Sequence, residues 1–257
     1  MSRTIESIRE SSKGIIGIEI VVVSFSRTFS ENIRDGIHII SCNDKRVEGK
    51  LIGIHFSNSE KIMFLDSDQI VDASLIPKII EFNKDMGIIP ERSLNTHFLA
   101  RILDAKRSIL ERRMRDEADI VLPVVPRVFS KVIIERALNS LGEWIRKNVT
   151  EFEDSLIFYE AVKFSKDIGW IDSYIYNIDP KLKEFVKKSF NYGSANITVL
   201  LSGNLSDEYI HFIQKIQFET LVNNRIFSIR ILLVNMIRGI PFILGEICNR
   251  FKGGIKK

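Results

Sequence analysis

The chain has 257 residues, with 37 Lys and Arg against 33 Asp and Glu, two Cys and six Pro. That length suits one large domain or a domain and a half, and 45% hydrophobic with 27% charged residues excludes a disordered or low-complexity chain. The net charge of +4 is unevenly placed: residues 225–257 hold seven basic side chains and one acid, leaving thirty basic against thirty-two acidic residues in 1–224. A DNA-tracking surface across the whole protein is therefore not expected, and no nucleic-acid partner is assigned. Cys42 and Cys248 stand far apart with no Cys/His cluster, which argues against a disulfide framework or a zinc site. The charged opening MSRTIESIRESSKG lacks the apolar core of a signal peptide, so a cytoplasmic location is expected.

Along the first two thirds, strand-like and helix-like segments alternate. Gly17–Phe25 is a continuous apolar, β-branched run of the kind buried on both faces of a sheet. Gly36–Cys42 is a second strand, and Lys61–Asp66 a third that ends abruptly in acid. Residues 45–57 between them predict a helix despite Gly49 and Gly53. Ser74 is placed to cap a helix through Asp85, with Pro77 tolerated in its first turn. Met86–Pro90 is a fourth strand. Asn95 to about Arg115 forms a long helix with Phe98, Ile102, Ile109 and Leu110 inward and Arg101, Lys106, Arg107, Arg112 and Arg113 outward. This rhythm predicts an α/β domain with a mostly parallel sheet flanked by helices. Ligands of such sheets gather at the carboxyl ends of strands, where Asp66 and Asp68 stand.

From Ser206 onward two apolar helical stretches follow, about Asp207–Val222 and Asn224–Arg250. The second, with the lysines that follow it, carries the surplus positive charge. No run of about eighteen uncharged apolar residues occurs, so a clean membrane span is not expected. The bland reading packs this segment on the domain. The sharper one lays it in a membrane interface with its arginines at anionic headgroups, and is preferred for its charge.

In KIMFLDSDQI, Asp66 and Asp68 would point the same way if the chain there is extended, so both can approach one ligand. Two carboxylates repel a nucleotide diphosphate directly but hold it through Mg²⁺ or Mn²⁺. A helix-capping acid pair explains the same residues equally well. Glu153 and Asp154 open another helix through about Phe164, as caps or, for Asp154, as a general base. In KEFVKKSFNYG, Lys187 and Lys188 form a solvated face, or are brought to a phosphate by a tight end at Tyr192-Gly193. Arg127 follows PVVP and begins a short strand before Ser130.

Taken in order, these pieces resemble family-2 glycosyltransferases with the GT-A fold, over about Arg3 to Ser194. IEIVVVSFS resembles the second strand, FLDSD the metal motif and IIPERS the strand that follows. PRVFSKVIIERA resembles the acceptor-side strand and helix, FEDSL the catalytic Glu-Asp, and KKSFNYG the closing basic-aromatic motif. The resemblance implies a GT-A-like domain over 1–205 and a basic helical extension over 206–257. It implies that Asp66 and Asp68 bind Mg²⁺ or Mn²⁺ and the donor diphosphate, with Ser24, Lys50, Lys187, Lys188 and Tyr192 also on the donor. Glu91 and Arg127 would line the acceptor, and Asp154, with Glu153 beside it, would be the base.

The implied activity is metal-dependent, inverting transfer from a nucleotide-sugar to a lipid-linked or glycan acceptor, at the cytoplasmic face of a membrane. Departures from the pattern imply an alternative. The chain begins at MSRTIESIRES, which resembles the helix after the first nucleotide-binding strand, so that strand is expected to be lacking. Ser24 stands where an acid closes the second strand, Lys50-Leu51 where Arg-Asn is usual, and Asn177 where a histidine assists the metal. The alternative is thus a catalytically impaired relative serving as a binding or partner subunit.

Overall fold

A computed structural model describes residues 2–25, 30–34, 36–42, 46–117, 124–149, 152–221 and 229–254. The first elements are α1 (Ser2–Ser11), β1 (Ile20–Phe25), β2 (Ser30–Arg34), β3 (Ile37–Cys42), α2 (Arg46–His55), β4 (Lys61–Met63) and β5 (Gln69–Val71). Next come α3 (Leu75–Glu81), β6 (Met86–Ile88), β7 (Glu91–Ser93), α4 (Phe98–Glu117), β8 (Val128–Ser130), α5 (Lys131–Ser140) and α6 (Glu143–Asn148). The chain closes with α7 (Glu153–Phe164), β9 (Ile168–Trp170), β10 (Ile175–Asn177), α8 (Leu182–Leu201), α9 (Asp207–Leu221) and α10 (Ile229–Gly254). It is a mixed α/β protein built as two compact units, Met1–Pro90 with Val125–Tyr176, and Glu91–Val124 with Asn177–Lys257. The boundary expected near Ser206 falls inside the second unit.

In the first unit the mostly parallel sheet expected from the sequence is replaced by small mixed sheets. β1 pairs parallel with β3, whose other edge takes β2 antiparallel. In the order β4-β8-β6-β9, β8 runs antiparallel to both neighbours and only β6 and β9 are parallel. Three-residue apolar strands carry no signal of direction, so the reversal of β8 comes from how the chain returns. β1 is likewise not buried on both faces: its residues are half-buried and Phe25 is 59% exposed. Gly49 lets α2 close on β1, since a β-carbon there would stand 3.1 Å from the Phe25 ring.

A hydrophobic core of this unit gathers Val71, Leu75, Ile76, Ile79, Ile89, Val128, Ile171 and Ile175. Helix α1 packs along β5 through a stripe of hydroxyls at helical spacing. Thr4 Oγ1 donates to Ser67 O (3.0 Å), Ser7 Oγ accepts from Val71 N (3.1 Å), and Ser11 Oγ donates to Ala73 O and accepts from Ile76 N, each at 3.0 Å. These bonds supply partners to backbone groups in β5, in the turn before it and at the entry to α3. Ser74 occupies the cap position of α3, yet its side chain makes no capping bond. It donates instead to Asp72 Oδ1 (2.7 Å), while Asp72 O accepts from Leu75 N (3.0 Å).

The second unit is largely helical. On α4, Leu99, Ala100, Ile102 and Met114 are buried, whereas Phe98 is 69% exposed and does not join the core as expected. Two residues read as its outer face turn inward because acceptors arrive from later in the chain. Arg107 grips the buried Asp179 carboxylate through two nitrogens at 2.6 and 3.0 Å, and Lys106 Nζ donates to the buried Asn235 amide (3.0 Å). α8 and α10 pack closely. Any β-carbon on Gly193 would strike the Phe242 carbonyl, and any on Gly245 the Phe190 carbonyl. Gly193 is thus a packing glycine inside a continuous helix, not the tight helix end expected at Tyr192-Gly193.

Candidate functional site

Three segments of the first unit converge on Asp154. The first is the turn after β4: Asp66, Ser67 and Asp68 are exposed, Asp66 O accepts from Gln69 N (3.1 Å), and Gln69 Oε1 accepts from Asp66 N (2.9 Å). Asp66 and Asp68 therefore lie in a turn rather than an extended strand, and the alternation argument for their shared direction does not apply. Gln69 is buried, and the Thr4 hydroxyl holds the Ser67 carbonyl between the two acids. The turn is anchored from both sides.

The second segment is Arg127, just before β8. Its backbone bridges two strands: Arg127 N donates to Gly87 O and Phe64 N donates to Arg127 O, both at 2.9 Å. The side chain is only 12% exposed, with Nη1 3.2 Å from Asp154 Oδ2 and 4.0 Å from Asp66 Oδ2. The third segment is α2, whose Arg46 and Lys50 stand one turn apart on one face. Arg46 Nη1 meets Glu153 Oε1 at 2.9 Å, and Lys50 Nζ binds Asp154 Oδ1 while lying 5.4 Å from the Phe64 ring centroid.

Glu153 and Asp154 open α7 as the sequence predicts, where the helix dipole favours anions. Phe152 before them adopts left-handed backbone, φ 61° and ψ 9°, an uncommon conformation for a bulky residue and a local strain of about 1 kcal/mol or more. Burial acts most strongly on the Asp154 carboxyl and would raise its pKa. The Lys50 ammonium, then the Arg127 guanidinium, then Arg46, overcome it and hold the value at about 2, against an ordinary 3.8. Asp154 is an ionised carboxylate clamped by cations.

The sequence-derived residues thus separate. Asp66, Lys50, Arg127, Glu153 and Asp154 form one connected cluster. Ser24 is elsewhere in the same unit, its hydroxyl 2.7 Å from Ser41 across the β1–β3 ladder. Glu91 belongs to the second unit, where its carboxylate accepts from Asn177 Nδ2 (2.9 Å) and faces Arg107 Nε at 4.0 Å. Asn177 is therefore a partner of Glu91. Lys187, Lys188 and Tyr192 also belong to the second unit, exposed or half-buried on α8, with Lys188 Nζ 5.7 Å from the Tyr192 ring centroid. Arg127, read as an acceptor residue, is bound to the acids assigned to metal and base. Arg46 was not singled out by sequence reading; its spacing of four from Lys50, matched by the adjacent Glu153-Asp154, was the available signal.

No protein-family model matches the chain, and no curated protein matches it. Among solved structures, the crystal structure of S. aureus TarS, residues 1–349, aligns with 95% of this chain and 76% of that chain, at 15% identity and a TM-score of 0.49.

Proposed function

We propose that the first unit binds a nucleotide-diphosphate sugar at the Asp66–Arg127–Asp154 cluster and transfers the sugar to an acceptor, as a glycosyltransferase-like protein. The observation that carries this reading is Arg127 Nη1, within 4.0 Å of Asp66 and 3.2 Å of Asp154, which joins the acid-ending strand to the Glu-Asp helix start. Asp66 and Asp68 offer exposed hard oxygen donors, and among the described residues no third His, Cys, Asp or Glu joins them. A two-carboxylate set suits Mg²⁺ or Mn²⁺, since it leaves coordination positions for phosphate and water. The bound cation would supply charge neutralisation for the departing diphosphate.

Lys50 and Arg127 are the natural phosphate partners, because both already bind carboxylates that a diphosphate can replace. Asp154, with a pKa of about 2, is a weak base. It suits an acceptor that is already ionised, such as a lipid-linked phosphate, better than a neutral hydroxyl. A second reading, a donor-binding subunit without transfer, is favoured by the same clamp on Asp154.

Calorimetry of UDP- and GDP-sugars with Mn²⁺ tests the proposal. Metal-dependent binding that Asp68→Ala abolishes is expected. Metal-dependent transfer to a lipid-phosphate acceptor would mark the active form; binding with no transfer would mark the second reading. Absence of metal-dependent binding for every nucleotide sugar refutes both.

A further inference from the structure

Both oxygens of the Asp154 carboxylate are held by cations. Lys50 Nζ donates to Oδ1 from α2, and Arg127 Nη1 stands 3.2 Å from Oδ2. The charges described around this pair balance it: Arg46 reaches Glu153 Oε1 at 2.9 Å, and Asp66 Oδ2 lies 4.0 Å from the same Arg127 nitrogen. A diphosphate entering such a cluster gains a cation from the protein by taking it from a carboxylate.

Burial decides which carboxylate yields. The Glu153 side chain is 8% exposed, so withdrawing Arg46 would strand a buried charge. The Asp154 side chain is 32% exposed, and water can replace part of what Lys50 and Arg127 supply. Lys50 Nζ also lies 5.4 Å from the ring centroid of Phe64, two residues before Asp66. That contact keeps the ammonium beside the segment that carries the acidic turn.

We propose that Asp154 occupies Lys50 and Arg127 in place of the donor phosphates, so that a nucleoside diphosphate displaces it and thereby frees it to act on the acceptor. The proposal rests on the donor-binding reading of this cluster and adds its regulation: donor and base compete for the same cations, so the donor binds first. Once released, Asp154 is opposed by fewer cations while burial still raises its pKa, which makes it a stronger base than it is in the clamp.

Competition is reciprocal, so removing the Asp154 charge should tighten donor binding. The test is calorimetry of UDP and GDP with Mg²⁺ on the full chain, for the parent, Asp154→Asn, Lys50→Met and the double variant. Asp154→Asn should bind at least about fivefold tighter than the parent, and that gain should be largely lost in the Lys50→Met background. Binding by the parent that Asp154→Asn leaves equal or weakens overturns the proposal and spares the donor reading. No binding of either nucleotide by parent or Asp154→Asn refutes the donor reading, and the proposal with it. Should Asp154→Asn lose its fold by circular dichroism, carbon-13 NMR of the parent decides. The Asp154 carboxyl midpoint should rise from about 2 on saturation with the diphosphate and Mg²⁺, and an unmoved midpoint overturns the proposal.

Discussion

Replacing Lys50 with Met removes the cation that acts most strongly on Asp154. The pKa of Asp154 is about 2 in the folded protein against an ordinary 3.8. Because the folded value is the lower one, ionised Asp154 stabilises the fold above about pH 4, and that stabilisation is lost as pH falls through about 2. At 1.36 kcal/mol per unit, the clamp contributes about 2 kcal/mol at neutral pH. In Lys50→Met, Arg127 still stands 3.2 Å away, so part of the effect survives. The Asp154 midpoint should rise by about one unit, with a neutral-pH stability loss of about 1–2 kcal/mol that shrinks between about pH 4 and 2. Carbon-13 NMR titration of the aspartate carboxyls, with Asp154→Asn for assignment, reads the midpoint, and urea unfolding reads the stability. A wild-type midpoint near 3.8, or one that Lys50→Met leaves unmoved, refutes the reasoning.

Two further outcomes follow from buried groups. Burial and then Arg238 push the Lys106 pKa down from 10.5 to about 8, so the unfolded chain binds more protons between those values and stability should rise with pH across that window. Lys106→Met should abolish the rise and stabilise the protein at pH 7 by about 1–2 kcal/mol, after subtracting the lost bond to Asn235; a parallel pH dependence in parent and variant by urea unfolding would contradict this. Thr4→Val removes the hydroxyl that donates to Ser67 O and should cost about 1 kcal/mol while weakening Mn²⁺ binding beside it; an unchanged unfolding midpoint would show that α1 does not support the acidic turn.

Much of the local structure was legible along the chain. Helices α2, α4, α7, α9 and α10 and strands β3, β6 and β8 lie where apolar periodicity puts them, because periodicity reports short-range preferences that each segment carries by itself. Capping was less legible, since Asp72 rather than Ser74 closes the entry to α3, and an Asx-type bond competes with the expected cap. Within the site, the family resemblance gave Asp66 and Asp154 separate roles, and their shared neighbour Arg127, 4.0 Å and 3.2 Å away, was not expected from it.

Tertiary structure decided the rest. Local sequence does not encode the direction of β8, the burial of Lys106 and Arg107, or the use of Gly193 for helix contact instead of a helix end. Each depends on a partner that folding brings from far along the chain: Met63 and Gly87 for Val128, Asn235 for Lys106, Asp179 for Arg107, Phe242 for Gly193. Charge shows the division most clearly. Composition alone places seven basic residues against one acid in the last 33 residues and sets acids after an apolar, strand-like run. Only the fold decided that Lys50 and Arg127 close on Asp154, because the energy of a charge depends on its neighbours in space and on the water they displace.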